Sequence, residues 1–189
     1  MTLSPAQAAE NLKDIAKTER RSAEALRYSR FSPFLFLWGA VWAAGYLGSA
    51  TLPPHVYGPL WFGLDFAGLA GCAVIGYRQN KGQPTDSEGR RKGRRFFASF
   101  FIIFLFIIAT FAVMGPVRPL QQAAFWPLVI AMFYAIMGLW AGARLLITGL
   151  ALTVLTLGGF FFLPEYFMYW MAVTGGGSLI LAGFWFRQV

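Results

Sequence analysis

Residues 145–163 read LLITGLALTVLTLGGFFFL and contain no charged side chain. At 1.5 Å per helical residue, this stretch extends roughly 28 Å, close to the thickness of a bilayer's hydrocarbon core. Stretches of similar length and character lie at approximately 32–52, 59–77, 96–115, 123–142 and 166–186. The sequence therefore predicts an all-α fold, a polytopic membrane helix bundle with six transmembrane helices.

The composition argues against most kinds of catalytic site. Of the 189 residues, 57% are hydrophobic and 13% are charged, and the chain has one His and one Cys. One Cys, Cys72, and one His, His55, cannot build a zinc site or a disulfide framework within one chain. The sequence also lacks a nucleophile elbow, a phosphate-binding loop and paired carboxylates. We expect a protein that is not an enzyme, with no catalytic residues, no metal and no cofactor.

The positions of the basic residues predict the topology. If the N-terminus is cytoplasmic, all of the 16 Lys and Arg residues except Arg118 fall on the cytoplasmic side of the six spans. Cytoplasmic segments of membrane proteins retain Lys and Arg in this way. The pattern predicts a multi-pass protein of a bacterial inner membrane with both termini in the cytoplasm. It also explains the net charge of +8 without nucleic acid as a partner.

The six spans form three hairpins with a common layout. Each hairpin has a proline in its outer turn, a tryptophan near the start of the returning span and an arginine near the end of that span. These residues are Pro53, Trp61 and Arg78 in the first hairpin, Pro116, Trp126 and Arg144 in the second, and Pro164, Trp170 and Arg187 in the third. An internal triplication explains this layout, and so does the general use of such anchors in membrane hairpins. The layout is similar to that of the small HdeD-type acid-resistance membrane proteins, although no shared motif carries a function over.

Residues 1–30 have a different composition from the spans. Ser4-Pro5 provides a helix start, and Ser32-Pro33 is expected to end this helix and begin the first span. Between them, Leu12, Ile15 and Leu26 form a narrow apolar stripe on a charged helix. We predict a cytoplasmic amphipathic helix over 1–30, lying on the membrane or on a protein partner, followed by a transmembrane domain over 31–189.

The segment 78–95 is predicted to be a basic cytoplasmic loop. It contains Gly, Pro, Asn and Asp residues that favour irregular structure. Five cations near its end can each gain about 1 kcal/mol from anionic lipid headgroups. The predicted lipid contacts are Arg90, Arg91, Lys92, Arg94 and Arg95.

Asp65 is the only acidic residue well inside a predicted span. An intramembrane carboxyl group is costly, so it indicates either a cation or proton site or a structural hydrogen bond between helices. Hydroxyl groups that could complete a polar site belong to Tyr46, Ser49, Thr174 and Ser178.

Glycines in the spans offer two further interpretations. Gly175, Gly176 and Gly177 could break the last helix at mid-membrane, as in some transporters, or could permit close packing, which is the commoner use. Small residues four apart predict that the first two helices touch along Ala40, Ala44 and Gly48 on one side and Gly63, Ala67 and Gly71 on the other.

Polar and charged residues thus concentrate on one side of a nearly inert bundle. This distribution favours a regulatory or interaction subunit that meets a cytosolic protein through residues 4–30. The alternative is a transporter or channel for a small solute or ion that uses Asp65 and Gly175–Gly177. The sequence leaves open whether the bundle associates into a homo-oligomer.

Overall fold

The computed structural model describes residues 5–81 and 87–188, and every regular element in them is helical. Short 3-10 turns at Pro54–Val56 and Pro164–Tyr166 form two of the connections between helices, and a π-helical turn at Ala172–Gly176 joins the last two helices. The prediction of an all-α fold is confirmed. The helices are α1 (Pro5–Thr51), α2 (Tyr57–Asn80), α3 (Ser87–Met114), α4 (Pro119–Ala141), α5 (Ala143–Phe162), α6 (Phe167–Met171) and α7 (Gly177–Arg187).

Five helical segments are long and apolar enough to cross a membrane, judged by length and composition. Within the described residues, α3 contributes a shorter apolar segment, Phe101–Met114, where the sequence predicts the third of six spans. The five longer segments are Asn11–Thr51, Pro54–Asn80, Pro119–Ala141, Ala143–Phe162 and Pro164–Arg187. We call the segment Pro164–Arg187 the last span.

The first helix does not stop at Ser32-Pro33, so the predicted helix boundary there is wrong. α1 runs without interruption for 47 residues, which corresponds to about 70 Å. Proline removes one backbone hydrogen bond, but packing against a neighbouring helix can hold such a helix together. Here the buried Ser32 hydroxyl donates to the Gly183 carbonyl at 2.7 Å, which ties α1 to α7 beside the proline.

The core forms where α1 packs along the last span and where α4 packs along α5. The α4–α5 pair is especially close, since a Cβ atom at Gly149 would lie 2.5 Å from the Ala131 carbonyl oxygen. The largest apolar side chains that are fully buried come from α1, α5 and the last span: Tyr28, Leu35, Leu152, Phe167, Met171, Leu179 and Phe186.

α1 and α2 do touch, but of the predicted ladders of small residues only Gly48 and Gly71 take part; the Leu60 side chain covers Gly48, 2.5 Å from where its Cβ would stand. The Trp61 ring covers Gly45, within 2.6 Å of where its Cβ would stand, and Leu37 covers Gly71 in the same way at 2.7 Å. Ala40, Ala44, Gly63 and Ala67 are exposed. The four-residue spacing wrongly assigned these four residues to the contact. Lipid is as apolar as a protein interior, so a face of small residues can adjoin either.

The closest approach between α1 and the last span occurs at Gly39 and Gly176. A Cβ atom on Gly176 would lie 2.9 Å from both the Gly39 carbonyl oxygen and the Ala43 backbone nitrogen. Both obstacles are backbone atoms, so no side-chain rotation can make room. Next to Gly176, a Cβ on Gly177 would meet nothing within 4 Å.

These two adjacent glycines provide a matched test of the packing. We expect Gly176→Ala to lower the free energy of unfolding by about 1–3 kcal/mol, because the added methyl group overpacks the crossing. Gly177→Ala should leave stability unchanged or raise it by up to about 1 kcal/mol, because Ala is the better helix former. Thermal unfolding in detergent measures both, and equal effects of the two substitutions would contradict this packing.

Candidate functional site

The structure places Asp65 on the surface of the bundle. It lies eight residues into α2, about 12 Å from the first residue of that helix, and its side chain is exposed. None of the hydrogen bonds found among the described residues of α2 involves its carboxyl group.

The four hydroxyl groups proposed as its neighbours bond elsewhere. Tyr46 is buried and donates to the Ala123 carbonyl of α4 at 2.8 Å, while the buried Ser49 hydroxyl accepts a hydrogen bond from Trp61 Nε1 at 3.0 Å. Thr174 and Ser178 donate to carbonyls within the last span itself, those of Trp170 and Gly175. The structure therefore does not bring these residues together with Asp65 as one polar site.

The glycine run lies in a continuous helical segment. Gly175 and Gly176 end the π-helical turn, and α7 starts at Gly177. Gly175 is buried, and its missing Cβ makes room for the Met171 methyl group and the Trp42 ring. In this structure, Gly175 and Gly176 serve close packing between α1 and the last span, the commoner use of glycine in membrane helices.

The basic cluster is helical rather than part of a loop. α2 continues to Asn80 and α3 begins at Ser87, so the predicted loop 78–95 is shorter than expected. Arg and Lys are good helix formers, and this preference prevails over Gly89 and Gly93. Arg91, Arg94 and Arg95 are exposed, whereas residues 82–86 and the side chains of Arg90 and Lys92 lie outside the described part of the chain.

The N-terminal half of α1 stands apart from the bundle. We call residues 11–27 the stalk; between Asn11 and Ala23, every residue whose burial is described is exposed. Its apolar stripe is uncovered, with Leu12, Ile15 and Leu26 exposed by 67%, 55% and 60%. A shallow groove on the stalk is lined by Lys13, Ala16, Lys17, Arg21 and Glu24.

The base of the stalk is attached to the other helices at a point that we call the junction, formed by Arg27, Tyr28, Gly142, Arg144 and Trp185. The Arg27 guanidinium group donates to the Ala141 carbonyl at 3.1 Å and to the Trp140 carbonyl at 3.3 Å. These carbonyls end α4, where a cation also opposes the negative end of the helix dipole.

Tyr28 is the centre of the junction. Its buried ring lies 4.7 Å from the Phe186 ring, and its hydroxyl accepts a hydrogen bond at 3.2 Å from the backbone N–H of Arg144. That N–H belongs to the first turn of α5, where helix donors lack partners within the helix. Tyr28 thus caps α5 from another helix. Gly142 occupies the N-cap position of α5 but has no side chain with which to cap it.

Arg144 and Gly142 complete the junction. The Arg144 guanidinium carbon lies 5.5 Å from the centre of the Tyr28 ring and 5.1 Å from that of Trp185, and the group donates to the Trp185 carbonyl. Gly142 has φ of 130°, a conformation that favours glycine, and a Cβ there would lie 2.1 Å from the Tyr28 hydroxyl oxygen. The junction joins α1, the α4–α5 turn and α7.

The sequence analysis did not find the junction. Arg144 drew notice only as a cytoplasmic anchor of the second hairpin, and Tyr28 was placed in a separate domain. A usable signal was present, because Gly142 and Arg144 separate two long apolar stretches of sequence, where the ends of two helices need capping groups.

Neither the chemistry of the described residues nor comparison with known proteins identifies a reaction. Among these residues, no group of three or more His, Cys, Asp or Glu could hold a metal ion. An apolar recess between α4 and α5 is lined by residues including Phe125, Leu128 and Phe160. No protein-family model matches the chain, and no curated protein or solved structure matches it either.

Removing the Tyr28 hydroxyl tests the junction. We expect Tyr28→Phe to lower the free energy of unfolding by about 1–2 kcal/mol, because the Arg144 N–H loses its acceptor while the ring remains. Faster hydrogen exchange at the start of α5 should accompany the loss. Tyr166→Phe is the matched control, because that ring is 61% exposed; an equal effect in both variants would contradict the capping role.

Proposed function

We propose that this protein is a regulatory or interaction subunit of a bacterial inner membrane, with the stalk as the element that meets a cytosolic protein. The observation that carries the proposal is the exposure of the stalk on a helix continuous with a membrane span. An α1 of about 70 Å exceeds the hydrocarbon core of about 30 Å more than twofold, so a large part of it projects from the bundle.

The surface of the stalk suits a protein partner. Leu12 and Ile15 lie three residues apart on one face, the spacing with which an amphipathic helix enters an apolar groove. Residues 11–27 carry Lys13, Lys17, Arg20, Arg21 and Arg27 against Asp14, Glu19 and Glu24. This excess of positive charge favours a partner whose groove has an acidic rim.

The junction provides a physical reason for a regulatory role. A partner bound to a flexible tail would leave the bundle unaffected, whereas the stalk leads without interruption into Tyr28 and the buried Ser32. A partner that binds the stalk can therefore shift the bundle if it binds one arrangement of the junction more tightly than another.

The transporter alternative has less support. It relied on Asp65 together with the glycine run, but Asp65 is exposed on α2 whereas Gly175 and Gly176 are buried against α1. Substrate sites need convergent polar groups around a cavity. The hydroxyl groups that could have converged on Asp65 already bond elsewhere.

The proposed topology has six spans in three hairpins, with α3 as the third span and both termini in the cytoplasm. The charge distribution supports it, and so does the gathering of Arg27 and Arg144 at one end of the bundle. The exposed Arg91, Arg94 and Arg95 at the start of α3 would then face anionic lipid headgroups at the same membrane surface.

Reporter fusions test this topology, and in particular whether α3 crosses the membrane. Fusions after Gly82 and Val189 should score cytoplasmic, and fusions after Pro54 and Val117 should score external. If α3 does not cross the membrane, the fusion after Val117 should score cytoplasmic and the fusion after Val189 should score external. That result would replace the six-span arrangement with five spans.

Photo-crosslinking in cells tests the stalk. A photoreactive residue at Ile15 should capture a cytosolic protein, because this side chain lies on the proposed docking stripe. The same residue at Lys17 is the matched control; Lys17 is also exposed but lies about 160° around the helix from Ile15, away from the stripe. We expect a product specific to position 15.

A second variant separates docking from folding. Leu12→Glu should abolish the product at position 15 by placing a charge on the apolar stripe, with thermal stability unchanged because Leu12 touches no other helix of the bundle. Identical products from positions 15 and 17, or a product that survives Leu12→Glu, would show that the stripe is not the docking element.

A further inference from the structure

One side of α2 carries residues at the alternating spacing of four and three that is typical of helix pairs that supercoil. The residues are exposed or half-buried, and we call them the α2 seam: Gly58, Phe62, Asp65, Leu69, Cys72 and Gly76.

The bundle leaves most of this seam uncovered, with Cys72 at its edge, half-buried beside Trp38 of α1. α2 contacts α1 through another side of the helix, where Trp61, Gly68 and Gly71 lie. Only 6% of the most apolar window of α2 is buried, compared with 28–39% in the other four long spans. Beside Gly58 and Gly76, at the two ends of the seam, a Cβ atom would meet nothing within 4 Å.

Contact between this seam and lipid is unfavourable because the seam contains Asp65. About 12 Å separates Asp65 from the outer end of α2, and an aspartate side chain is too short to reach the headgroups from there. A carboxyl group that faces hydrocarbon without a partner is strongly unfavourable, so such groups face protein or water. The seam therefore requires a polar complement at the depth of Asp65.

We propose that the α2 seam is the interface of a homodimer centred on Asp65. A two-fold axis along the membrane normal keeps every residue of the second copy at its own depth, so the partner subunit's Asp65 lies opposite. One protonated carboxyl group can then donate its hydrogen to the other, as in carboxyl pairs that share one proton.

The rest of the seam suits this arrangement. A single polar residue in an apolar seam can fix the register of two paired helices. Asp65 is such a residue in the α2 seam. Gly58 and Gly76 allow the two helices to approach closely at both ends. This interface lies within the membrane, away from the stalk, so it neither requires nor excludes the proposed cytosolic partner.

Cys72, the only cysteine of the chain, lies seven residues after Asp65 on the same seam and reports directly on the interface. Oxidation of the full-length protein in native membranes should yield a disulfide-linked dimer on a non-reducing gel. The matched control is the double variant Cys72→Ala/Val74→Cys, which moves the thiol about 200° around α2 to a position that is more exposed than Cys72. We expect it to cross-link at least about fivefold more slowly, because a disulfide needs Cβ atoms about 4 Å apart.

Two substitutions then test Asp65 with Cys72 in place. Asp65→Ala should lower the cross-linking rate at least about fivefold, whereas Asp65→Asn should retain most of it, because two amides can also hydrogen bond to each other. Unchanged thermal stability of the monomer in detergent would show that Asp65→Ala acts on association. Failure of Cys72 to cross-link, equal rates from positions 72 and 74, or full cross-linking of Asp65→Ala would each overturn the proposal.

Discussion

The structure depends on the contact between α1 and the last span, where backbone meets backbone at Gly39 and Gly176. Apolar side chains gain little by leaving lipid for protein, so helices in a membrane associate through close packing and hydrogen bonds. At this crossing the glycines permit the close packing, and Ser32 adds a hydrogen bond to α7. Beside this contact, α1 continues through Pro33 and joins the stalk to the bundle.

The junction extends this contact to the α4–α5 pair. Tyr28 on α1 caps the first turn of α5, and Arg27 satisfies carbonyls at the end of α4. These are the backbone groups that a helix cannot satisfy by itself. Because the caps come from α1, the stalk and the second half of the chain share one structural element. This shared element is the physical basis of the proposed regulatory role, in which binding to the stalk would influence the rest of the bundle.

The surroundings of Asp65 in the structure change the interpretation of its role. As an isolated residue in the sequence, it indicated either a cation or proton site among hydroxyl groups of neighbouring helices or a structural hydrogen bond between helices. In the structure, Tyr46 and Ser49 bond within the core while Asp65 points away from it. A costly group on an outer surface indicates an interface rather than a cavity, since a second copy can provide at the same depth what lipid cannot.

The sequence by itself determined that the protein is helical and apolar enough to span a membrane, because both properties follow from the length of uncharged runs such as 145–163. It also located the charged helix before the first span and the glycines of the last one. Only the tertiary structure decided that α1 continues through Pro33, that Gly71 faces Leu37 while Gly63 faces outward, and that Asp65 lies apart from Tyr46. The physical reason is that lipid and protein interior are equally apolar, so periodicity reveals a helix without revealing which side packs.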